Sequence, residues 1–209
     1  MQTSHDGHDP SAGGLHAGID VGSVSINSVV INAHRQILFE SPYRRHFGKV
    51  EDAVAALIVA LHEKFGRDQV VGIAFTGSHG KKISEQLGAH YEFEIISQAL
   101  GAVHVRPDVR TLVCMGGQDT ALVQIAYRPS GWELEYFNTD GPCASGTGSF
   151  IDQQAERLAT RIYERRGDRS DSPLDRILAD FIALGLKSRQ PANVACRCTV
   201  FTKSDMIHL

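Results

Sequence analysis

The stretch LHAGIDVGSVSINSVVI, residues 15–31, decides the fold of this chain. Its first half runs apolar residues into Asp20 and Gly22, and its second half partly alternates apolar and polar residues. This pattern predicts a strand, a glycine turn and a second strand. A short polar break and the segment RQILFE follow. Together they favour a meander of antiparallel strands at the start of the domain.

Helical and strand patterns alternate after the meander. Residues 50–65 carry apolar side chains at helical spacing, and Gly66 is a suitable end for that helix. The short apolar run VVGIAFTG, residues 70–77, is typical of a buried strand. We expect helices in the segments KKISEQLG and SQALGAVHV. This order of elements predicts an α/β domain.

A second set of strands begins after a break at Pro107 and Asp108. The segments RTLVCMGGQD, TALVQIAY and WELEYFN predict three strands, and the first again runs into a glycine turn with an acidic residue. Strand, glycine turn and strand therefore occur near residue 20 and again near residue 116. This recurrence suggests a duplicated α/β architecture with a cleft between its halves.

The predicted organisation has three parts. Residues 1–14 form a disordered leader, residues 15–108 a first domain, and residues 109–209 the start of a second domain. In the second domain, residues 150–160 have a helical pattern, and Ser172-Pro173 is a favourable start for a further helix. The sequence ends without a closing strand for the second sheet, so we expect a fragment of a longer polypeptide.

Composition limits the classes of function. The chain has 209 residues, of which 42% are hydrophobic and 22% charged, as in ordinary globular proteins. Its formal charge of −3 argues against a broad nucleic-acid-binding surface. It has no apolar run of the roughly 18 residues that a membrane span needs, and its polar start does not resemble a signal peptide. We expect a cytoplasmic protein with reduced thiols.

The first candidate binding motif is the turn that contains Asp20, Gly22 and Ser23. A carboxylate at the end of a strand beside a glycine allows backbone N–H groups to approach a phosphate while the carboxylate faces a magnesium ion or its water shell. A tight β-turn with a capping aspartate is the ordinary alternative, because short Asp-x-Gly turns are common.

The second candidate motif is the turn Gly116-Gly117-Gln118-Asp119. Its paired glycines leave room for a phosphate, and Gln118 and Asp119 could orient water or a metal ion. A simple hairpin turn is the alternative here. Because the two turns open corresponding sets of strands, both are expected to face one nucleotide.

The third candidate motif consists of cysteines. Cys143 lies in a glycine-rich turn before one predicted helix, and Cys198 directly precedes another. The positive end of a helix dipole stabilises a thiolate or an anionic sulfur cluster. A [4Fe–4S] cluster usually takes four thiolates. If each chain offers two of them, two chains share one cluster on a two-fold axis. Buried structural thiols and a zinc site with a fourth ligand are the alternatives, and Cys114, in an apolar strand, is expected in the core.

These segments, taken together, resemble a known family. IDVGS, GGQD, CASGTGSFIDQQAERL and CTVFTKSD, in this order and spacing, are similar to the activators of 2-hydroxyacyl-CoA dehydratases and benzoyl-CoA reductases. This is the BadF/BadG/BcrA/BcrD ATPase family of the actin/hexokinase/Hsp70 superfamily. The similarity runs from about residue 15 to the end of the chain.

The resemblance implies a fold and an activity. The fold is α/β with duplicated ribonuclease-H-like domains that bind Mg-ATP in a central cleft, the second domain being incomplete in this chain. A homodimer would hold one [4Fe–4S] cluster between its subunits. Nucleotide turnover would change the angle between the cluster-bearing helices. One low-potential electron would then enter a partner iron–sulfur dehydratase, or a benzoyl-CoA reductase-like protein, that acts on acyl-CoA.

The functional residues of the family map onto nine positions of this sequence. Asp20, Gln118 and Asp119 are expected to act in catalysis; Gly22, Ser23, Gly116 and Gly117 are expected to bind the nucleotide; Cys143 and Cys198 are expected to hold the cluster.

Three departures from the family pattern matter. Cys114 stands where the activators usually have an acidic residue before their second phosphate turn, and Cys196 is an extra thiol beside the expected ligand. The adenosine-binding glycine motif of the family lies beyond residue 209, so this chain alone is expected to bind nucleotide weakly. The cysteine segments also resemble activase modules that are fused into much longer polypeptides.

Two other functions remain open from the sequence. A small-molecule kinase of the same superfamily would use its cysteines only for packing, and its activity would survive the replacement of Cys143. A zinc-stabilised binding module would hold about one zinc ion per chain and no iron.

Overall fold

The computed structural model describes residues 13–140, 148–166, 174–194 and 199–208. The chain divides into two compact units, Met1–Pro107 and Asp108–Leu209. Within the described ranges, none of the helices is both long and apolar enough to cross a membrane.

The first unit is an α/β structure with a mixed, six-stranded sheet. Its described elements are β1 (Leu15–Val21), β2 (Ser25–Asn32), β3 (Ile37–Glu40), β4 (Arg44–Arg45), α1 (Val50–Phe65), β5 (Val70–Thr76), α2 (Gly80–Leu87), β6 (His90–Tyr91) and α3 (Glu94–Val105). The strand order is β3-β2-β1-β5-β6, with β4 paired to β2. Strands β1, β2 and β3 pair antiparallel, whereas β5 runs parallel to β1 and β6 parallel to β5.

The predicted meander and the strand that follows it are confirmed. The alternation in β1 buries every second side chain, because successive side chains of a strand point to opposite faces of the sheet. These apolar side chains form one core with α1; its members include Leu15, Ala17, Ile19, Val21, Val54, Leu57 and Leu61. The helix predicted over residues 50–65 has those bounds, and Gly66 ends it with a φ of 84°.

The second unit begins with a three-stranded antiparallel sheet in the order β7-β8-β9. Its described elements are β7 (Thr111–Met115), β8 (Thr120–Arg128), β9 (Gly131–Thr139), α4 (Gly148–Arg166), α5 (Leu174–Lys187) and α6 (Thr199–His208). The three predicted strands are confirmed, and α4 continues past the predicted end at residue 160. The helix start proposed at Ser172-Pro173 lies outside the described residues, and the duplication of the domain remains a prediction.

Two short strands were not predicted. Strands β4 and β6 contain two residues each, which is too short for an alternating pattern to show in the sequence. Strand β6 pairs with the end of β5 and extends the parallel part of the sheet.

Candidate functional site

The first predicted phosphate turn lies at the carboxyl end of β1. Asp20 pairs with Asn27 of β2 on one side and with Thr76 of β5 on the other, so it lies in the middle of the sheet. Its Oδ1 atom is buried and has no hydrogen-bond partner among the described residues. Burial raises the pKa of the Asp20 carboxyl. A desolvated carboxylate oxygen without a donor suits a hard cation such as magnesium, which prefers oxygen ligands.

Asp20 also borders a cavity of about 460 Å³ on its side of the sheet. The same cavity is lined by Thr76, whose Oγ1 is buried without a described partner, and by the carboxylates Glu40 and Glu92. This acidic lining favours cations over phosphate groups.

Gly77 packs directly against the Asp20 turn. Its φ is +86°, and a Cβ added there would overlap the Asp20 Oδ1 atom and lie 2.6 Å from the Val21 carbonyl oxygen. The loop that follows β5 therefore approaches the end of β1 more closely than any residue with a side chain allows.

Replacing Gly77 by alanine is expected to lower the free energy of unfolding by about 2–4 kcal/mol, from the left-handed backbone and the overlap together. Gly88→Ala is the matched control, because Gly88 also has a positive φ (64°) but nothing lies within 4 Å of its added Cβ. That control is expected to lose only about 1 kcal/mol. Urea unfolding of the two variants measures the difference. Equal losses would show that the approach to Asp20 is not tight.

Two histidines hold the same turn, and the sequence analysis missed both. The Gly22 carbonyl oxygen accepts hydrogen bonds from His46 Nε2 at 3.1 Å and from His79 Nδ1 at 2.9 Å. The turn is closed by the Gly22 N–H, which donates to the Ser25 carbonyl oxygen at 3.0 Å. For His79 the signal was a histidine in a glycine turn directly after a buried strand. His46 has no comparable signal in the sequence.

The second predicted phosphate turn connects β7 to β8. The Gly116 N–H donates to the Asp119 carbonyl oxygen at 2.8 Å, which closes the turn. A Cβ at Gly116 would lie 3.0 Å from both the carbonyl and the Oδ1 oxygen of Asp119, so this position strongly favours glycine. The structure thus brings Gly116, Gly117, Gln118 and Asp119 together in the second unit, as it brings Asp20, Gly22 and Ser23 together in the first.

The N-terminus of α4 is hydrogen-bonded to the second turn. The Gly148 N–H donates to the Gly116 carbonyl oxygen at 3.1 Å, and the Ser149 N–H donates to the Gly117 carbonyl oxygen at 2.9 Å. The first N–H groups of a helix have no partner inside the helix, so these two bonds satisfy groups that would otherwise need water or a cap. The turn and the start of α4 are therefore directly linked, which the sequence analysis did not predict.

The proposed cluster ligands Cys143 and Cys198 lie outside the described residues, as does Cys196. In the part of the chain that is described, no group of three histidine, cysteine or acidic side chains could hold a metal ion. Cys114 is half-buried on β7 opposite Ala121, which is less burial than the core position expected for it.

The helices that follow the two cysteines in sequence are in contact. Helix α6 begins at Thr199, directly after Cys198 in the chain. Its Lys203 side chain donates from Nζ to the Oε1 atom of Gln153 on α4. This exposed side-chain bond is the contact described between these two helices.

The chain is similar in sequence to known proteins. The chain is 25% identical over 190 residues to the (R)-2-hydroxyglutaryl-CoA dehydratase activating ATPase of Acidaminococcus fermentans, which covers 91% of this chain and 65% of that protein. It is 22% identical over 198 residues to the 2-hydroxyisocaproyl-CoA dehydratase activator of Clostridioides difficile, covering 91% of this chain and 64% of that protein. The chain thus spans just under two thirds of the length of these curated relatives.

Solved structures support the same fold. Component A of the Acidaminococcus fermentans (R)-2-hydroxyglutaryl-CoA dehydratase matches with a TM-score of 0.71 and 24% identity, over 93% of this chain and 67% of that chain. The Clostridium difficile activator of 2-hydroxyisocaproyl-CoA dehydratase, solved with bound ADPNP, matches with a TM-score of 0.70 and 22% identity, over 93% of this chain and 65% of that chain.

The match to a whole family covers nearly all of the sequence. The profile of the BadF/BadG/BcrA/BcrD ATPase family aligns with residues 17–209, which include both glycine turns and all four cysteines. The relatives named above are activators or activating ATPases of 2-hydroxyacyl-CoA dehydratases. This chain belongs to the BadF/BadG/BcrA/BcrD ATPase family.

Proposed function

We propose that this chain acts as an ATP-dependent activator that delivers one electron at a time to a partner iron–sulfur protein. The partner would be a 2-hydroxyacyl-CoA dehydratase or a benzoyl-CoA reductase-like protein acting on acyl-CoA. The names of the relatives support the activator role, and the two glycine turns support nucleotide binding. A kinase of the same superfamily or a zinc-stabilised module is the alternative.

One observation carries this proposal: the carbonyl oxygens of Gly116 and Gly117 accept hydrogen bonds from the first N–H groups of α4. Nucleotide phosphate at this turn would pull on the N-terminus of the helix that follows Cys143 in the chain. A phosphate-binding event is thereby coupled to the position of a predicted sulfur ligand.

Each turn by itself is proposed to contact nucleotide phosphate. The Ser23 N–H of the first turn and the Gly117 N–H of the second would be the phosphate donors, while Gly22 and Gly116 close their turns with their own N–H groups. Bound magnesium would neutralise phosphate charge, and the buried oxygen of Asp20 fits a place near that ion or its water.

Gln118 and Asp119 would orient the attacking water at the second turn. Positioning and electrostatic stabilisation of this kind account for most of the catalysis of phosphoryl transfer.

Cys143 and Cys198 of two chains would hold one [4Fe–4S] cluster, which supplies a low-potential electron when bound. Helix α6 begins at Thr199, the residue after Cys198 in the chain, and the positive end of a helix dipole would favour a thiolate at its start. The Lys203 side chain donates to Gln153 on α4, so one side-chain hydrogen bond joins the surfaces of the two helices.

The direct test uses protein that is purified and reduced without oxygen. After excess reductant is removed, an acceptor dye is added with Mg-ATP or without nucleotide. We expect rapid dye reduction only with Mg-ATP. Phosphorylation of a metabolite that persists in Cys143→Ser would instead support a kinase.

Replacing Ser149 by proline tests the link between the turn and α4. Proline is tolerated in the first turn of a helix but has no N–H to donate to the Gly117 carbonyl. We expect ATP-dependent electron transfer to fall by about fivefold, since the variant loses one of the two hydrogen bonds and one such bond contributes roughly 1 kcal/mol. Nucleotide affinity should change little.

Ser149→Ala is the matched control, because it removes the same side chain and keeps the N–H. It should transfer electrons at the wild-type rate. Equal rates in the proline and alanine variants would mean that this bond does not couple the turn to the helix.

A further inference from the structure

We propose that His46 and His79 are positioning residues for phosphate binding. Together they fix the peptide between Gly22 and Ser23 so that the Ser23 N–H faces the phosphate. This inference rests on the proposed nucleotide site at the first turn, and it adds two residues that neither the motif nor the family resemblance indicated.

The hydrogen bonds of His46 define its protonation. The Gly48 N–H donates to His46 Nδ1 at 3.1 Å, so Nδ1 is an acceptor and carries no proton. The proton of the neutral ring is then on Nε2, which donates to the Gly22 carbonyl oxygen. Both nitrogens of this buried ring are used, which leaves neither free to act as a base or as a metal ligand.

His79 approaches the same oxygen from a second loop. Because a carbonyl oxygen only accepts, the Nδ1 atom of His79 must carry a proton to bond the Gly22 oxygen at 2.9 Å, and the Ser78 Oγ atom, 3.3 Å from the same nitrogen, then lies on the acceptor side of that N–H. The two rings meet edge to face, with their centroids 5.8 Å apart. Two donors thus converge on one oxygen, which has two lone pairs to receive them.

The backbones of both histidines also bond the turn. The His46 N–H donates to the Val24 carbonyl oxygen at 3.2 Å, and the His79 N–H donates to the Val21 carbonyl oxygen at 2.9 Å. The turn is therefore held on both flanks of Gly22. Each histidine is fixed relative to the carbonyl that its ring contacts.

The geometry of the peptide gives these bonds a consequence for ligands. A trans peptide is planar, so the Gly22 C=O and the Ser23 N–H point in opposite directions. Rings that hold the carbonyl on one side therefore direct the N–H to the other side. No hydrogen bond in the described part of the chain uses that N–H.

Glycine makes this restraint necessary. Gly22 has no side chain to limit its backbone angles, so sterics alone would let the Gly22–Ser23 peptide rotate. A rotated peptide would present the Gly22 carbonyl oxygen to the phosphate. The partial negative charge of this oxygen would then repel the phosphate anion. The histidine donors remove this second orientation.

The experiment titrates inorganic pyrophosphate, with magnesium, into the ¹⁵N-labelled chain and follows the Ser23 amide signal by NMR, which detects weak binding. His79→Leu removes the donor, whereas His79→Asn keeps an N–H near the position of Nδ1. His90→Leu is the control, because His90 is exposed on the same unit.

We expect pyrophosphate to shift the Ser23 amide in the wild type and in the control. His79→Leu should weaken binding by about tenfold or more, because the Ser23 N–H would no longer be held toward the phosphate and its hydrogen bond to that charged group would be lost. His79→Asn should bind within about threefold of the wild type, a difference well under 1.4 kcal/mol. A residue needed only for packing would not be rescued by asparagine.

Each other outcome identifies what is wrong. If the wild type responds neither to pyrophosphate nor to Mg-ADP, the proposed nucleotide site fails, and this inference fails with it. If the wild type binds and His79→Leu binds equally well, only the inference is wrong. Equal losses in the leucine and asparagine variants would also overturn it, because the donor would then not matter.

If His79→Leu does not fold, NMR spectra of the wild-type protein still test the proposal. Long-range ¹H–¹⁵N spectra should show a proton on Nε2 of His46 and on Nδ1 of His79, before and after pyrophosphate is added. A different tautomer at either ring would contradict the proposal.

Discussion

Replacing Cys143 by alanine is expected to abolish iron binding and ATP-dependent electron transfer. With only Cys198 left on each chain, a dimer offers two thiolates where a [4Fe–4S] cluster needs four. We expect iron to fall from about four atoms per dimer to near zero. The electron-transfer rate should fall by about 100-fold or more, which exceeds the usual loss when a group that only orients a metal ligand is removed. Anaerobic iron analysis and the dye assay measure both.

Two other cysteines supply controls for this experiment. Cys114→Ala removes a half-buried thiol from β7 and should leave iron unchanged. Cys196→Ala tests whether the extra thiol replaces a ligand; if Cys196 is a spectator, its loss also leaves iron unchanged. Full iron content in Cys143→Ala would contradict the assignment of Cys143 as a ligand.

Replacing Asp20 by asparagine should remove Mg-dependent ATP hydrolysis. The variant keeps the shape of the side chain but loses the charge that suits a magnesium ion or its water. The loss of one preorganised electrostatic group typically costs roughly 10²–10³ in rate, and we expect a loss in that range. Asp68→Asn is the control, since it removes the same charge from an exposed position of the same unit. Hydrolysis near the wild-type rate in Asp20→Asn would contradict the role of Asp20.

The same variant, Asp20→Asn, should lose hydrolysis but become more stable than the wild type as the pH rises. Burial raises the pKa of Asp20 above 3.8, so the folded protein binds this proton more tightly than the unfolded chain does. Wild-type stability therefore falls as the pH rises from about 3.8 through the raised pKa, and asparagine lacks this loss. We expect Asp20→Asn to gain stability relative to the wild type as urea unfolding is repeated from pH 4 to pH 8. If the free energy of unfolding of Asp20→Asn fell relative to that of the wild type as the pH rose, the burial of a charged carboxylate would be contradicted.

Local patterns predicted most of the fold. The partial alternation over residues 24–31 and the helical spacing over residues 50–65 are signals within a few residues, and the structure has β2 (Ser25–Asn32) and α1 (Val50–Phe65) at these places. Strands β4 and β6 could not be predicted, because a strand of two residues is too short to show an alternating pattern of apolar and polar residues. Each forms only because a neighbouring strand offers it hydrogen bonds.

The candidate site was predicted only in part, for a related reason. Glycine and acidic residues at the ends of strands indicated both turns, since these residue types are required by the local backbone. The partners of the turns come from distant segments. His46 and His79 reach Gly22 from two other loops, and α4 reaches the Gly116 carbonyl oxygen from beyond β9. Only tertiary structure brings such groups together.

The cluster and the dimer remain predictions, because Cys143 and Cys198 lie outside the described residues. What supports them is the family to which the chain belongs. A partner dehydratase or reductase is likewise a proposal, drawn from the names of the relatives.

The most direct test is the metal content and visible spectrum of the wild-type chain, purified and reconstituted without oxygen. Brown protein with about four iron and four sulfide per dimer is the predicted result. A colourless, iron-free protein with all four cysteines intact, or about one zinc ion per chain in place of iron, would contradict the assignment of this chain as an electron-transferring activator.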